Sequence, residues 1–313
     1  MDFNHKPVLL EETLEGLDIK ENGIYVDCTL GGGGHSLEIL KRLGPEGRLI
    51  AIDQDEDALK TSQKKLEEYK DKVTFVKSNY AYLESILDSL GIDKVDGVLM
   101  DIGVSSYQLD EKERGFSYHQ DATLDMRMDQ SSELTAKYVV NNYSKEELEL
   151  IFWNYGEEKW GRRIAQFIVE AREEKEIETT LELVELIKKA IPKKIRMQGK
   201  HPAKRVFQAL RIEVNKELDV LETTIGIAID RLNKNGRLAI ITFHSIEDRI
   251  VKTRFNELAK GCTCPPDFPI CVCNNKQIIK VVNRKPIVAS KEELEENRRA
   301  TSAKLRVCKK IIS

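Results

Sequence analysis

The sequence has no long hydrophobic run and no excess of charge of either sign. Among its 313 residues the longest apolar stretches, such as 238–243, fall far short of the ~20 residues that a membrane-spanning helix requires. The N-terminus has no basic stretch followed by an apolar one, so it does not resemble a secretory signal. With 41% hydrophobic residues, the chain is too apolar for a disordered protein. We therefore expect a soluble cytoplasmic protein with a buried core and no membrane partner.

Cysteine is scarce, with six residues in a chain that lacks a secretory signal, and this argues against a disulfide framework. Four of the six lie in the motif CTCPPDFPICVC, as Cys262, Cys264, Cys271 and Cys273. Four thiolates around a proline-rich turn can hold a tetrahedral structural zinc ion, although the usual spacing is Cys-x₂-Cys and not Cys-x-Cys. Reduced buried thiols and a disulfide remain alternatives to zinc.

Apolar runs and helical stretches alternate along the first hundred residues. Strands are predicted at 24–30, 47–55, 72–79, 95–103 and 236–245, with two more at 276–282 and 305–311. Strand and helix in alternation indicate βαβ units, and hence a parallel sheet. One long amphipathic helix, with an apolar stripe from Phe207 to Ile225, is predicted before the fifth strand.

Residues 104–132 are polar and weakly periodic, and a helical pattern dominates from Glu133 to about Lys189. The sequence therefore predicts an α/β fold in which an all-helical domain interrupts the sheet. The predicted parts are 1–106 and 207–313 for the sheet domain and 107–206 for the inserted domain.

A glycine-rich turn at 31–34 follows the first strand and opens a helix. Glycines there let the backbone approach a ligand, with the helix N-terminus aimed at it. The dinucleotide spacing G-x-G-x-x-G fails because Ser36 stands at the third glycine, and the Gly-Lys-Ser/Thr ending of a P-loop is missing. Asp53, about twenty residues further on, can accept both hydroxyls of an adenosine ribose.

Polar side chains follow the other predicted strands at the same edge of the sheet. Ligands of open parallel sheets bind at the carboxyl ends of strands, so Asp27, Asp53, Tyr80 and Asp101 are expected to converge on one crevice. Three carboxylates suit a cationic ligand better than a pyrophosphate. This favours S-adenosylmethionine over NAD as the cofactor.

Six longer motifs occur in a fixed order along the chain: GGGGHS, MDIGVSSYQLD with RGFSY, LDMRMD, KRVFQALRIEVNKEL, TFHSIEDRIVK and RRATSAKLR. Over nearly the whole chain they resemble the signatures of the ribosomal RNA small-subunit methyltransferase H family. The resemblance implies a Rossmann-like S-adenosylmethionine-dependent methyltransferase sheet with an inserted helical domain. It also implies methylation of the N4 atom of the cytosine at position 1402 of 16S rRNA, at the decoding centre and within the 30S subunit. The implied cofactor contacts are Gly33, Gly34, His35, Asp53, Tyr80, Asp101 and Gln108.

A cytosine amine is a poor nucleophile because its lone pair is conjugated with the ring. A proton acceptor beside that amine would favour pyramidalisation and take a proton during or after methyl transfer. Asp101 is the first candidate, with orientation of the cofactor as its alternative role. His244 is the second candidate catalytic residue, with a structural helix cap as the alternative.

Basic residues are concentrated in two blocks, nine within 188–211 and six within 298–310, neither containing an acidic residue. The stretch 144–187 is the reverse, with twelve Glu against six basic residues. A charge run is often only a solvated helix face, but two unopposed blocks favour a polyanion surface. The residues predicted to bind RNA phosphates are Arg114, Arg127, Lys200, Lys204 and Arg205. The alternative for Arg127, in the LDMRMD motif, is that it only holds its own segment in place.

Two other functions fit parts of this pattern. An NAD-dependent oxidoreductase could use the same sheet, but it would have to bind pyrophosphate against several carboxylates. A non-catalytic rRNA-binding or assembly factor could keep a relic cofactor pocket. The intact loop glycines, Asp53, Asp101 and Gln108 argue against the second alternative.

Overall fold

The structure is a computed structural model that describes residues 7–197, 199, 201–265, 268, 270, 272–273 and 275–313. Two of the candidate residues, Lys200 and Cys271, lie outside the described residues. The chain packs into two compact units, one formed by Met1–Gly103 with Asp219–Ser313 and the other by Val104–Leu218. The domain boundaries expected from the sequence, at 107 and 206, stay predictions.

Within the described residues, seven strands of the first unit form one sheet. They are β1 (Ile24–Asp27), β2 (Arg48–Asp53), β3 (Val73–Lys77), β4 (Val95–Asp101), β5 (Leu232–Thr242), β6 (Ile279–Val281) and β7 (Lys304–Lys310). Their order across the sheet is β3-β2-β1-β4-β5-β7-β6. Strands β1 to β5 are parallel, whereas β7 runs antiparallel to both β5 and β6. The parallel sheet expected from the first strands therefore becomes mixed at one edge.

The α-helices of the described chain are α1 (Leu10–Leu17), α2 (Gly34–Arg42), α3 (Glu56–Lys65), α4 (Leu83–Ser89), α5 (Ser106–Asp110), α6 (Ala136–Asn142), α7 (Lys145–Asn154), α8 (Gly161–Glu174), α9 (Thr180–Ala190), α10 (Lys193–Arg196), α11 (Lys204–Asn215), α12 (Glu217–Arg231), α13 (Ser245–Leu258) and α14 (Lys291–Glu296). None of these helices is both long and apolar enough to cross a bilayer.

Two apolar clusters cover the two faces of the sheet in the first unit. Successive side chains of a strand point to opposite faces, so Val26 and Ile50 join one cluster while Tyr25 and Leu49 join the other. Each strand of the sheet centre is thus buried on both sides, which explains why these strands appear in the sequence as continuous apolar runs.

The second unit is helical and has its own hydrophobic core, which includes Phe152, Ile168 and Leu210. An α/β sheet with an inserted helical unit is the predicted fold class, and the structure confirms it. The single long helix predicted from Phe207 to Ile225 is wrong, because α11 ends at Asn215 and the next residue, Lys216, has the left-handed conformation, with φ of 52°. The apolar periodicity continues in phase across this break, and the sequence pattern therefore conceals it.

Candidate cofactor site and catalytic carboxylate

The strand order reverses between β1 and β4, since β2 and β3 lie on one side of β1 and β5 on the far side of β4. In open α/β sheets such a reversal leaves a crevice at the carboxyl ends of the strands, where ligands bind. Asp27 ends β1, Asp53 ends β2 and Asp101 ends β4. The first unit therefore brings these carboxylates to the same edge of the sheet.

The glycine-rich turn between β1 and α2 has a constrained backbone. Gly31 and Gly33 have φ of 49° and 68°. These values lie in the left-handed region, which residues other than glycine rarely adopt. A Cβ atom on Gly33 would lie 3.0 Å from Oγ of Ser62, whereas one on Gly32 would have nothing within 4 Å. The turn is therefore packed on the Gly33 side and open on the Gly32 side. The first N–H groups of α2, which have no intrahelical acceptor, make this end suitable for an anionic group.

Asp27 holds this turn, and its expected place in the ligand crevice stays a prediction. Its side chain is buried. One carboxylate oxygen accepts the N–H of Thr29 at 3.0 Å, and the other accepts the Ser36 hydroxyl at 2.7 Å. Burial raises the pKa of Asp27, and the hydrogen bonds partly oppose that rise.

Asp53 links the end of β2 to the glycine turn. It accepts the N–H of Gly31 at 2.8 Å on Oδ2 and the N–H of Asp55 at 2.9 Å on Oδ1. Burial raises the pKa of Asp53 to about 6, although both hydrogen bonds act to lower it. A carboxylate oxygen can accept two hydrogen bonds, and Asp53 could therefore also accept ribose hydroxyls.

Tyr80 lies just beyond β3 and begins the short 3₁₀ helix Tyr80–Tyr82. The preceding residue, Asn79, donates its side-chain amide to Oε1 of Gln54 at 2.8 Å. Gln54 directly follows Asp53, so this hydrogen bond ties the end of β3 to the end of β2. Asp53 and Tyr80, both predicted from the sequence as cofactor contacts, are therefore held at adjacent strand ends.

Asp101 is the most unusual carboxylate of this edge. Its side chain is 26% exposed, yet its Oδ1 atom is shielded from solvent and has no hydrogen-bond partner among the described residues. Burial, followed by the negative charges of Asp27 and Glu247, raises the pKa of Asp101 to about 8. The buried carboxylates of this edge therefore oppose one another's ionisation.

His35, in the first turn of α2, lies beside Asp101. Its Nδ1 is 3.6 Å from Oδ2 of Asp101, and its Nε2 is 3.1 Å from the carbonyl oxygen of Val8. Burial lowers the pKa of His35 to about 4, so the ring is neutral at pH 7. Because the Val8 carbonyl can only accept, the ring proton belongs on Nε2 and leaves Nδ1 as an acceptor facing Asp101.

His244 is the N-cap of α13. Its Nδ1 accepts the N–H of Glu247 at 3.4 Å, and its Nε2 is 2.9 Å from Oε1 of the same residue. Glu247 in turn accepts the backbone N–H groups of Phe243 and His244. α13 begins at Ser245, directly after this cap. The Nδ1 contact supports the capping role of His244, whereas Nε2 is buried and makes no hydrogen bond to the described residues.

Gln108 belongs to the second unit, and its side chain is buried in a helix cap. Its Oε1 accepts the N–H of Ser105, and its own N–H donates to the Ser105 hydroxyl, which together form the capping box of α5. The cofactor contact implied for Gln108 stays a prediction.

Arg114 and Arg127, both in the second unit, make extensive contacts within the chain. Arg114 is buried and donates to the carbonyl groups of Arg127 and Met128. Arg127 forms a two-point ion pair with Asp125, with N–O distances of 2.8 and 2.7 Å. These contacts support the alternative interpretation, in which this turn is held in place by its own arginines, and phosphate binding stays a prediction.

The two basic blocks differ in their surroundings. Lys204 begins α11, and the exposed Arg205 donates to the carbonyl oxygen of Glu157. In the second block, Arg306 is buried, and its Nε donates to Oδ1 of Asp248 at 2.6 Å. Lys310 donates to the carbonyl oxygens of Asp230 and Leu232. The second block therefore serves packing in large part, and sequence counting overstated its exposed charge.

A basic cavity in the second unit was not predicted from the sequence. Its volume is about 310 Å³, and its lining residues are Lys145, Lys159, Trp160, Arg162, Arg163 and Gln166. In the part of the chain that the structure describes, no carboxylate forms an ion pair with the four cations. They come from a stretch in which Glu outnumbers Lys and Arg. Only the folding of α7 and α8 brings the cations to one place, and counting charge along the chain could not find them.

The described cysteines of the CTCPPDFPICVC motif lie together at the surface. Cys262 is exposed, and Cys264 and Cys273 are partly exposed, so burial of the thiols does not account for the motif. Their sulfur atoms all lie within 4.8 Å of one another, close enough to hold a metal ion.

Comparisons with known proteins cover almost the entire chain. "Ribosomal RNA small subunit methyltransferase H" of Finegoldia magna is 61% identical over 313 residues, covering 100% of both chains. The protein of the same name in Clostridium botulinum is 61% identical over 311 residues, covering 99% of this chain and 100% of that one. Among solved structures, an rRNA methylase from Streptococcus thermophilus has a TM-score of 0.43 at 10% identity over 98% of each chain, too distant to bear on function. The sequence profile of the MraW methylase family matches residues 2–311, and the chain therefore belongs to that family.

Proposed function

We propose that this chain is an S-adenosylmethionine-dependent methyltransferase acting on the exocyclic N4 of a cytosine in 16S rRNA of the small ribosomal subunit, at position 1402. The observation that carries the proposal is Asp101, whose shielded oxygen has no hydrogen-bond partner among the described residues and lies at the sheet edge beside the glycine turn. Full-length relatives named for methylation of small-subunit rRNA support the substrate class. The position and the N4 atom rest on the motifs that resemble the methyltransferase H family.

The residues of the first unit fit S-adenosylmethionine. This cofactor supplies a methyl group that is already activated by a positively charged sulfur. An edge with several carboxylates suits such a cation, and the unpartnered Oδ1 of Asp101 can accept a hydrogen bond from an amino group. Gly33, Gly34 and His35 at the start of α2 would hold an anionic group, and Asp53 would accept ribose hydroxyls.

The chain's own residues would act mainly by positioning and by accepting a proton. The proposed acceptor is Oδ1 of Asp101, which would accept a hydrogen bond from the cytosine amine and take its proton during or after methyl transfer. Nδ1 of the neutral His35 faces the other oxygen of Asp101 and would accept a hydrogen bond from the protonated carboxyl, which would keep the resting proton on Oδ2 and leave Oδ1 without it. Because burial raises the pKa of Asp101 to about 8, a bound cation would help to ionise it.

The rRNA substrate requires a cationic surface, and two features of the second unit support one. Lys204 and Arg205 lie at the start of α11, and the basic cavity of α7 and α8 adds four cations. Such contacts give affinity that falls with salt, whereas the choice of base comes from the site. A substrate within the 30S particle also implies a cytoplasmic location for the protein.

The deciding experiment measures labelled methyl transfer from S-adenosylmethionine to 30S subunits from cells that lack this protein, followed by nucleoside analysis. We expect label in N4-methylcytidine at one position, and none when Asp101→Asn replaces the wild-type protein. Cofactor binding without any transfer to 30S subunits or to free 16S rRNA would favour a non-catalytic rRNA-binding factor. Absence of cofactor binding would refute the proposal.

A further inference from the structure

Three cysteine sulfurs converge in the segment between α13 and β6 of the first unit. The Sγ atoms of Cys262, Cys264 and Cys273 all lie within 4.8 Å of one another, and those of Cys262 and Cys273 are 3.7 Å apart. No disulfide joins these three cysteines to one another.

The distance between the sulfurs of Cys262 and Cys273 matches that between two ligands of a tetrahedral ion. With Zn–S bonds of about 2.3 Å, two sulfurs on a tetrahedral zinc ion are about 3.8 Å apart. A disulfide requires a separation of about 2.05 Å. The distance of 3.7 Å between Cys262 and Cys273 corresponds to the first arrangement and is far from the second.

Backbone donors already point at two of the sulfurs. The N–H of Thr263 donates to Sγ of Cys273 and the N–H of Val272 donates to Sγ of Cys264, each at 3.3 Å. Such donors stabilise thiolates and orient them toward a metal ion. The turns of both Cys-x-Cys pairs thus contribute to the arrangement.

Three apolar side chains among the described residues of this segment are largely exposed. Phe268, Ile270 and Val272 are 49%, 75% and 67% exposed. A segment that buries so little apolar surface gains little free energy from ordering its backbone. Metal coordination is the usual replacement for a core in small structural elements.

We propose that Cys262, Cys264 and Cys273 bind one structural zinc ion as thiolates, at a site separate in the sequence from the residues proposed for methyl transfer. Binding releases the thiol protons to solvent and involves no change of oxidation state. Thiolate ligands at these distances suit zinc, which has no redox chemistry. Cys271, the fourth cysteine of the motif, lies outside the described residues and is not needed for the proposal.

The test is the zinc and iron content of the full-length protein, purified without added metal or chelator and measured by mass spectrometry. We expect about one zinc ion per chain. Each of Cys262→Ser, Cys264→Ser and Cys273→Ser should reduce this to below about 0.2 ions. Cys308→Ala, which removes a buried thiol of β7, is the matched control and should keep its zinc. Circular dichroism checks that each variant is folded.

A second readout uses only the wild-type protein and therefore does not depend on the folding of any variant. Removal of zinc with a chelator should make the segment 260–275 sensitive to protease and expose thiols to alkylation, while readded zinc restores protection. The proposal is overturned by wild-type protein with below about 0.2 zinc ions per chain, by iron in place of zinc, or by a mass that reveals a disulfide in the motif.

Discussion

At the end of β4, a single carboxylate combines a shielded oxygen with two negatively charged neighbours. Burial, Asp27 and Glu247 together raise the pKa of Asp101 to about 8. Asp101 is therefore mostly protonated at pH 7 and must lose that proton before it can act as a base. Perturbed carboxyl groups of this kind are frequent at functional sites.

Replacement of Asp101 by Asn should lower kcat by about 10²- to 10⁴-fold, because the amide cannot accept the proton. For the wild-type protein, kcat/KM should rise with pH and level off above about pH 8, since only the ionised carboxylate is active. The measurement is the rate of labelled methyl transfer to 30S subunits between pH 6 and pH 9. A variant with the wild-type rate and pH profile would exclude Asp101 as the base.

The same carboxylate should make stability depend on pH. Its pKa is raised from 3.8 in the unfolded chain to about 8 in the folded protein, so the folded state binds more protons between these values. The stability contributed by this protonation is complete below pH 4 and is lost as pH rises toward 8. Asp101→Asn should therefore stabilise the protein at pH 8, by up to about 5 kcal/mol, and much less at pH 5. Denaturant unfolding at both values measures the difference, and an equal effect at both would contradict the raised pKa.

Two adjacent glycines of the turn provide a matched comparison. Gly33→Ala places a Cβ atom 3.0 Å from Oγ of Ser62 at φ of 68°. The expected loss is about 1–3 kcal/mol, because an L-residue is strained there. Gly32→Ala meets nothing within 4 Å and should change the free energy of unfolding by less than about 0.5 kcal/mol. Thermal unfolding of the two variants tests this, and equal losses would show that the packed side of the turn is misassigned.

At the scale of elements, the start of α13 contains His244, which has two candidate roles, as a helix cap and as a catalytic residue. His244 caps the helix through Nδ1, and Glu247 completes the capping box. The same helix start lies at the carboxyl end of β5, where a catalytic histidine was predicted from the sequence. The Nδ1 contact accounts for the cap, the catalytic role of His244 stays a prediction, and substitution can separate the two roles.

His244→Asn should keep both stability and activity, because asparagine is a good N-cap residue. His244→Ala should lose about 1 kcal/mol of unfolding free energy. Both variants are compared by thermal unfolding and by methyl transfer under the same conditions. A folded His244→Asn protein whose kcat falls more than about 100-fold would instead establish His244 as catalytic.

For the whole molecule, the net charge of −3 conceals an uneven distribution. Cations that pair with Asp248 or with backbone carbonyls are unavailable to a polyanion, as in the block around Arg306. Cations such as Arg162 and Arg163 line a cavity without an acidic partner among the described residues. Affinity for RNA should therefore depend on the cations that line the cavity.

Reversal of the charge on Arg162 and Arg163 to Glu should weaken binding to 30S subunits at least about tenfold at low salt and reduce the salt dependence of the affinity. Binding is measured by filter retention at several salt concentrations. Lys252→Glu, on the exposed side of α13, is the control for a change of charge elsewhere. Equal effects of the two changes would mean that the cavity has no specific role in binding rRNA.

The sequence alone determined the succession of elements and the candidate chemistry. Strands buried on both faces are encoded as apolar runs, because each must contact helices on either side. The glycine turn, Asp53 and Asp101 were identifiable because their positions relative to strand ends follow from local pattern and from the family motifs. These features depend on residues that are near one another in the chain.

Only the tertiary structure decided which charges are available and which are used in packing. Asp27 and Asp101 are equivalent in the sequence as acidic residues that end strands. In the structure both oxygens of the buried Asp27 accept hydrogen bonds from Thr29 and Ser36, whereas Oδ1 of Asp101 has no hydrogen-bond partner among the described residues. The basic cavity of α7 and α8 likewise exists only once these helices pack. A linear pattern records the residue type at each position, but hydrogen-bond partners and solvent exposure are set by packing in three dimensions.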